Sequence, residues 1–200
     1  MKPTDITRKP IMDTRGDSIR VVHPLFQVEG GGSIPTSPLQ LHVGRITVAL
    51  AVQLNSVWHS RLPQFTSPQG RCVAFGAEYA DRWYAVAIWS PPLARMLNYT
   101  GRYELRRFAI APDAPKNTAS RVLRIMKKLV PQEIPGTTIL ISYQDTAVHE
   151  GTIYRAAGWK PVRTDRGGEW SRPALGRHNR PAQADTPKIR WELDLSPNVK

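Results

Sequence analysis

Alternating and clustered apolar residues divide the chain after residue 38 into short strands and helices. Leu39, Leu41 and Val43 alternate with polar residues, which predicts a half-buried strand. The run from Thr47 to Trp58 is rich in apolar residues and contains no proline, which favours a helix. Two β-rich runs split by a short polar turn predict a hairpin, and further strands follow. These later strands are predicted at Val73–Tyr79, Trp83–Trp89, Tyr103–Ile110, Ile139–Ile141, Trp159–Thr164 and Ile189–Leu193.

Two more helices are indicated by their caps and their apolar spacing. Asn117 or Thr118 can cap a helix whose apolar positions form one stripe. A shorter helix from Thr152 to Ala157 ends at Gly158, which tolerates positive φ. The order of elements, β-α-β-β-β-α-β-α-β-β, predicts an α/β fold with a mixed sheet. The stripe of the longer helix consists of Ala119, Val122, Leu123, Met126, Leu129 and Val130.

The first 37 residues differ in composition from the rest of the chain. Four prolines and a run of three glycines predict a poorly ordered arm. Residues 38–200 are expected to form one domain, because the length suits a single core. The start of the chain, Met1 to Ser18, is polar, mixed in charge and without an apolar run, so we predict neither a signal peptide nor a membrane span there. A cytoplasmic protein without a membrane partner is the expectation.

Basic residues outnumber acidic ones along the whole chain. Lysine and arginine total 28 against 16 aspartates and glutamates, which gives a net charge of +12 and a pI of about 10.3. This charge favours a polyanionic partner such as nucleic acid through counterion release, although solvated basic faces produce the same composition. The single cysteine, Cys72, excludes an internal disulfide and a multi-cysteine zinc site.

Many of the basic residues fall in a predicted loop near the C-terminus, residues 160–188. An indole lies among its arginines, a combination that suits a loop gripping DNA. The proline and glycine content of the loop equally fits an ordinary surface loop. The candidate DNA-binding residues are Trp170, Arg172, Arg177, Lys188 and Arg190.

A motif from Tyr154 to Trp159 places a tyrosine before a glycine and an aromatic residue at a helix-to-strand junction. The motif and the order of elements resemble the GNAT acetyltransferase family. The resemblance implies a mixed, mostly antiparallel central sheet flanked by helices, with Tyr154 protonating a departing thiolate. A phenol suits that step because a sulfur leaving group needs a proton as its bond breaks. The alternative is that Tyr154 only packs the short helix against the sheet.

Several separated motifs occur between residues 58 and 159. They comprise Trp58, His59, Glu104, Arg107, Asn117, Ser120, Ser142, Tyr143, Gln144, Asp145, His149, Gly151, Thr152, Tyr154 and Gly158. In this order they resemble the Mom-like phage DNA-modification proteins. The resemblance implies an enzyme that adds an acetamido or methylcarbamoyl-type group to the N6 amine of adenine. The substrate would be double-stranded phage DNA in the host cytoplasm, which the modification protects from host restriction.

The acetyltransferase resemblance implies acetyl-CoA as the donor, bound at the start of the longer helix. Such enzymes cradle the coenzyme pyrophosphate with backbone N–H groups of a glycine-rich loop. The corresponding residues, Ala111–Ser120, contain no glycine, and Mom-like proteins share this departure. Asn117, Ser120 and Arg121 are therefore the candidate cofactor-binding residues, together with the helix N-terminus.

The adenine amine is a poor nucleophile because its lone pair is delocalised, so an enzyme must position it and remove a proton. Asp145 and His59 are the candidates for that proton transfer. Burial after an apolar strand would raise the pKa of Asp145, but an aspartate there also suits a turn cap. His59 and His149 could orient the substrate or be structural. A metal bound by histidine, tyrosine and aspartate is compatible with the sequence, but no spacing calls for one.

Arg106 and Arg107 are adjacent on one predicted strand, so we expect their side chains on opposite faces. The Mom-like resemblance implies that Arg107 points inward, where a guanidinium could clamp a carbonyl or a phosphate. A salt bridge with Glu104 is the alternative. The expected catalytic cleft is lined by Asp145, Tyr154, His59 and Arg107.

Two other functions fit the same sequence. An acetyltransferase of a small amine or a protein would share the fold and the coenzyme, but it would be indifferent to DNA. A non-catalytic DNA-binding module would keep the fold and the basic loop without needing Asp145 or Tyr154. The sequence leaves the oligomeric state and the DNA sequence context open.

Overall fold

A computed structural model describes residues 34–62, 64–65, 72–97, 101–166 and 186–196. They form a seven-stranded sheet in the order β1-β2-β3-β4-β5-β7-β6. Only β4 and β5 pair in parallel, so the sheet is mixed and mostly antiparallel, as predicted. The strands are β1 His42–Ile46, β2 Val73–Tyr79, β3 Arg82–Ser90, β4 Arg102–Ile110, β5 Ile139–Asp145, β6 Lys160–Asp165 and β7 Lys188–Asp194. The helices are α1 Val48–Trp58, α2 Thr118–Glu133 and α3 Thr152–Ala156.

The predicted start of the first strand is wrong, because β1 begins at His42 instead of Leu39. The hydroxyl of Ser37 accepts the N–H of Leu39 at 3.2 Å, and the side chain of Gln40 accepts the N–H of Ser37 at 2.9 Å. This reciprocal cap closes Pro38–Gln40 into a 3₁₀ turn. Apolar alternation alone does not reveal such a turn.

The first helix and the hairpin follow the sequence prediction closely. Thr47 caps α1 by accepting the N–H of Leu50 at 3.2 Å. The β2–β3 turn places Ala80 at φ 47° and Asp81 at φ 59°. Two successive positive φ values are the signature of the tight turns that match the right-handed twist of a hairpin.

The sheet has two differently covered faces. Helix α1 packs on β2, β3 and β4, where its Ala51 and Leu54 join a small apolar cluster. Helices α2 and α3 lie on the opposite face, over a larger core rich in aromatic residues. The apolar stripe of α2 is buried as predicted, including Val122, Leu123, Met126, Leu129 and Val130.

Two segments named in the sequence analysis lie mainly outside the described residues. They are the N-terminal arm, of which residues 1–33 are not described, and the basic loop, of which residues 167–185 are not described. Within the described ranges, no helix is long and apolar enough to cross a membrane.

Candidate active site

The parallel strands β4 and β5 pair over three positions only. Arg102, Tyr103 and Glu104 pair with Ile139, Leu140 and Ile141. Beyond these pairs β4 continues to Ile110 and β5 to Asp145. We call the region between the two strand ends the split. Backbone groups along it are not used by the β4–β5 ladder, so it can receive a ligand between the strands.

Three of the four predicted catalytic residues meet on the α1 side of the split, brought together by the loop after α1. Arg61 in this loop forms an ion pair with Asp145, with 3.1 Å between Nη2 and Oδ2. Asp145 Oδ1 also accepts the N–H of Ala147 at 3.0 Å, so the carboxylate closes a turn as well. Arg61 was not predicted from the sequence, because nothing in its local sequence points to a partner 84 positions away.

His59 lies in the same loop as Arg61. Its Nδ1 accepts the backbone N–H groups of Arg61 and Leu62, at 3.3 and 3.1 Å. The pKa of His59 is lowered by burial, then by the nearby charges of Arg107 and His149. The ring is therefore neutral at pH 7, and because Nδ1 is an acceptor, Nε2 carries the proton. In this arrangement His59 is a hydrogen-bond donor towards a substrate.

The prediction that Arg106 and Arg107 point to opposite faces is wrong. The β3–β4 register shifts between the pairs Ile88 with Arg107 and Trp89 with Leu105. Arg106 is thus the extra residue of a β-bulge, which turns consecutive side chains to one face. Both guanidinium groups lie over the ring of Phe65, at 5.8 Å for Arg106 and 5.1 Å for Arg107.

Arg107 anchors the loop to the sheet. It donates to the carbonyl of Gln64 at 3.0 Å and to that of Arg106 at 2.7 Å. Its Nε is buried and has no hydrogen-bond partner among the described residues. Burial, and then the charge of Arg106, lower the pKa of Arg107 from its ordinary value. Two of the five guanidinium N–H groups are used in these bonds, so one on each of the three nitrogens is left.

Tyr154 lies on the other side of β5 from these residues. Its hydroxyl is 2.9 Å from the hydroxyl of Ser142, and its ring stacks on Trp191 at 5.3 Å. Burial raises the pKa of Tyr154. Ser142 is the first β5 residue beyond the last β4–β5 pair, so the Tyr154 phenol reaches the split from the α2 side. The four predicted catalytic residues therefore do not line one face: His59, Arg107 and Asp145 lie on the α1 side of the sheet, and Tyr154 lies on the α2 side.

The start of α2 supplies the predicted cofactor-binding residues. Asn117 occupies the N-cap position at φ 67°, and its side chain makes no capping bond. Ser120 donates its hydroxyl to the carbonyl of Asn117 at 3.1 Å. Arg121 has two buried nitrogens, Nε and Nη2, without a hydrogen-bond partner in the described ranges. The glycine-free loop before the helix is fixed by an ion pair of 2.8 Å between Arg82 and Asp113.

The candidate DNA-binding residues divide into two groups. Trp170, Arg172 and Arg177 lie outside the described residues. Lys188 and Arg190 lie on β7, next to β5. Arg190 is largely buried beside Glu192, with 3.1 Å between Nε and Oε1. Across the described ranges, no group of three or more histidine, cysteine, aspartate and glutamate side chains is arranged to hold a metal ion.

The fold matches solved acetyltransferases at low sequence identity. The ribosomal-protein-S18-alanine N-acetyltransferase from Escherichia coli aligns with a TM-score of 0.52 and 15% identity, over 80% of this chain and 97% of that protein. The spermidine/spermine N-acetyltransferase from Vibrio cholerae aligns with a TM-score of 0.56 and 10% identity, over 80% and 95%. A Bacillus subtilis acetyltransferase in complex with CoA aligns with a TM-score of 0.53 and 11% identity, over 77% and 97%.

The family of the chain follows from its sequence. No curated protein matches the chain. The model of the Mom protein family matches residues 40–186, a span that includes His59, Arg107, Asp145 and Tyr154. The chain therefore belongs to the Mom protein family, and it has the fold of the GNAT acetyltransferases.

Proposed function

We propose that the chain is a transferase that modifies the N6 amine of adenine in double-stranded DNA, with the split as its active site. The observation that carries this proposal is the meeting of His59, Arg61, Asp145 and Arg107 on one side of the split, in a chain of the Mom family. The acetyltransferase fold supports group transfer to an amine. In phage DNA, the modification would protect against host restriction.

The α1 side of the split suits the acceptor amine. Asp145 has lone pairs beyond those engaged by Arg61 and Ala147, so its carboxylate can take a proton from the amine as the new bond forms. The Nε2–H of His59 and a guanidinium N–H of Arg107 can donate to acceptor atoms of the base. These three groups are held by the loop after α1, which limits the loss of orientation that would otherwise slow the transfer.

The α2 side of the split suits an acyl-CoA donor. The buried, unpartnered nitrogens of Arg121 fit an anionic group, and the first-turn N–H groups of α2 add favourable donors. Asn117 and Ser120 would border the same phosphates. When bound, acyl-CoA supplies the transferred group as a thioester. Because burial raises its pKa, Tyr154 keeps its phenol proton at neutral pH and can donate it to the leaving sulfur.

Access to the amine requires the target base to leave the duplex. Flipping costs a few kcal/mol, which phosphate contacts and stacking must offset. Lys188 lies on β7 opposite Asp145, so it can contact the backbone beside the flipped nucleotide. We assign the remaining DNA contacts to Trp170, Arg172 and Arg177 of the basic loop. Substitution of these arginines is expected to weaken DNA binding and to flatten its salt dependence.

The test is the nucleoside composition of DNA from cells that express the chain. The proposal predicts a deoxyadenosine derivative of increased mass, in DNA that is otherwise unchanged. The added mass identifies the transferred group, because acetyl and acetamido-type groups differ in mass. Unmodified deoxyadenosine throughout, despite soluble protein, contradicts the proposal.

A second candidate is N-acetylation of a small amine or a protein, which the fold favours because solved structures similar to it carry such names. This function predicts release of free CoA thiol from acetyl-CoA with polyamines or amino-terminal peptides. It also predicts that adding DNA changes nothing. Thiol release that requires adenine-containing DNA favours the first proposal.

A further inference from the structure

Arg61 and Asp145 form an ion pair whose two members are exposed to very different extents. The side chain of Asp145 is 19% exposed and that of Arg61 is 45% exposed, with 3.1 Å between Oδ2 and Nη2. Arg61 is therefore the outer member of the pair, and the carboxylate is the inner one. A substrate that reaches Asp145 from the solvent passes next to the positive charge of Arg61.

Most of the hydrogen-bonding capacity of the Arg61 side chain is not used within the described part of the chain. A guanidinium carries five N–H groups, and the bond from Nη2 to Asp145 is the only one that this guanidinium makes to a described residue. An arginine with a carboxylate on one side can hold a second anion through its other N–H groups, and phosphate fits this planar fork as carboxylate does. Arg61 can therefore bind a phosphate without leaving Asp145.

The backbone around Arg61 is held by hydrogen bonds on both sides of the residue. The N–H groups of Arg61 and Leu62 both donate to His59 Nδ1, at 3.3 and 3.1 Å. The buried side chain of Asn55 donates to the carbonyl of Leu62 at 3.0 Å, which ties the loop to α1. A cation on an ordered backbone loses less conformational entropy on binding than a cation on a flexible chain, so more of its interaction energy appears as affinity.

A carboxylate that acts on DNA has to lie close to phosphates, and the negative charges repel each other unless a cation lies between them. When the base of a flipped nucleotide approaches Asp145, its phosphates stay on the solvent side, where Arg61 is exposed. Arg61 reaches Asp145 from the loop after α1, and Lys188 lies opposite Asp145 on β7. Cations from two different elements thus flank the carboxylate, which matches the two phosphates that flank one nucleotide.

We propose that Arg61 binds a phosphate next to the flipped adenosine while its Nη2 continues to hold Asp145. This inference rests on the proposed function, and it gives Arg61 a binding and positioning role at the same site. The contact fixes the nucleotide relative to the carboxylate, because one guanidinium is bonded to both. It also selects an anionic substrate, since a polyamine or an amino-terminal peptide would bring its own positive charge against Arg61.

Binding of the full-length protein to duplexes that lack one phosphate charge tests the proposal without any group transfer. The parent is a G·C duplex with a single deoxyadenosine opposite an abasic site, so its only adenine is unpaired and costs less to flip. Two modified duplexes carry a neutral methylphosphonate, one on the 5′ side and one on the 3′ side of the deoxyadenosine. The wild-type protein should bind at least one of them about tenfold more weakly than the parent, because a charge-assisted bond to phosphate is lost.

Arg61→Gln should bind the parent duplex more weakly and show no further loss with one methylphosphonate that weakens wild-type binding. Such non-additivity indicates a direct contact between the two changed groups. The matched control is Arg45→Gln on the edge strand β1, because Arg45 is also paired with a less exposed carboxylate, that of Glu133, at exposures of 50% and 16%. Arg45→Gln should keep every tenfold loss of the wild type. If Arg61→Gln keeps them all too, or if the wild type shows no loss with either methylphosphonate, the proposal is overturned.

A second variant keeps the test decisive if Arg61→Gln does not fold. Arg61→Lys retains one positive charge but lacks the fork that bonds to two anions at once, so its loss with the same methylphosphonate should be smaller than tenfold. An unchanged tenfold loss in Arg61→Lys would then overturn the proposal.

The outcomes also separate this proposal from the proposed function. Non-additivity in Arg61→Gln, together with unmodified cellular DNA, supports the phosphate contact and rejects the transferase. Modified cellular DNA, together with the full wild-type losses in Arg61→Gln, rejects the phosphate contact alone.

Discussion

The two faces of strand β5 are built differently, although they are made by alternating residues of one seven-residue strand. On the α2 side, Ser142 and Gln144 are buried and bonded to Tyr154 and Trp191. On the α1 side, Tyr143 and Asp145 face charged partners, including Arg190 and Arg61. The first face therefore supports the fold, while the second leaves polar groups near the split.

Because of this difference, we expect neighbouring residues of β5 to have different roles: those on one face stabilise the fold, and the polar residues on the other act in the reaction. Substitutions on the α2 face should mainly lower the free energy of unfolding. Substitutions of Tyr143 and Asp145, the polar residues of the α1 face, should change it less and act on the reaction instead. A Tyr154 variant is the exception, since its hydroxyl reaches the split from the core side.

Replacing Trp191 by alanine should have the largest effect on stability. The indole is almost fully buried, stacks on Tyr154 and donates to Gln144 at 2.8 Å. Removing the indole leaves a cavity, and the side-chain oxygen of Gln144 loses its donor. The free energy of unfolding should fall by about 3–5 kcal/mol. Urea denaturation measures this change. A loss below about 1 kcal/mol would mean that the α2 face is not the core described above.

Gly151→Ala should be the next most destabilising change. Gly151 has φ 75°, and an added Cβ would lie 2.5 Å from the side-chain oxygen of Gln144 and 2.6 Å from Trp191. We expect a loss of more than about 2 kcal/mol in unfolding free energy, from backbone strain and overpacking together. Gly158→Ala is the control, because Gly158 has φ 83° but open space around it. Its loss should be about 1 kcal/mol. Equal losses would exclude the close contact as the cause.

Tyr154→Phe should cost about 1–2 kcal/mol in unfolding free energy, because the buried hydroxyl of Ser142 loses its partner. Adding Ser142→Ala should recover part of that loss, as the unpaired group is then gone. Thermal and urea unfolding of the single and double variants measure the coupling. A double variant less stable than the single one by the full cost of Ser142→Ala would show that the two hydroxyls do not interact.

Asp145→Asn should change the unfolding free energy by less than about 1 kcal/mol. The ion pair with Arg61 is partly exposed, and such pairs contribute little. Asparagine also keeps the oxygen that accepts the N–H of Ala147. Circular dichroism melting checks this expectation. A loss of unfolding free energy as large as that of Trp191→Ala would show that Asp145 stabilises the fold.

His59 should give the smallest effect, visible only as a change with pH. Burial lowers the pKa of His59 in the folded state below its ordinary value of 6.5. The unfolded chain therefore binds more protons between the two pKa values, so the stability due to His59 is complete above pH 6.5 and falls as the pH drops below it. Unfolding midpoints at pH 8 and pH 5.5 should differ less in His59→Gln than in the wild type. Identical differences would contradict the burial of the ring.

Local patterns of the sequence predicted much of the fold. The hairpin at Ala80 and Asp81 and the buried stripe of α2 follow from turn chemistry and periodicity. The same-face placement of Arg106 and Arg107 could not be predicted, because the bulge depends on how β4 pairs with β3. Ser37 and Gln40 did carry a readable signal for the 3₁₀ turn, a reciprocal cap around a proline.

The candidate site was predicted only in part. The alternation of β7 places Arg190 and Glu192 on one charged face, but their burial as an ion pair is visible only in three dimensions. Arg61 had no local signal, since its partner Asp145 lies across the sheet. Tyr154 was placed near the site by its motif, while its position behind β5 follows from packing against Trp191 and Trp159.

We propose above that the α1 side of the split carries the reaction on adenine. Its most direct test is the fraction of modified deoxyadenosine in DNA from cells expressing wild-type protein or Asp145→Asn, at equal levels of soluble protein. We predict a substantial modified fraction with the wild-type protein. With Asp145→Asn, the modified fraction should be lower by about 10²-fold or more. Equal fractions in the two DNA samples would show that Asp145 does not act in the reaction.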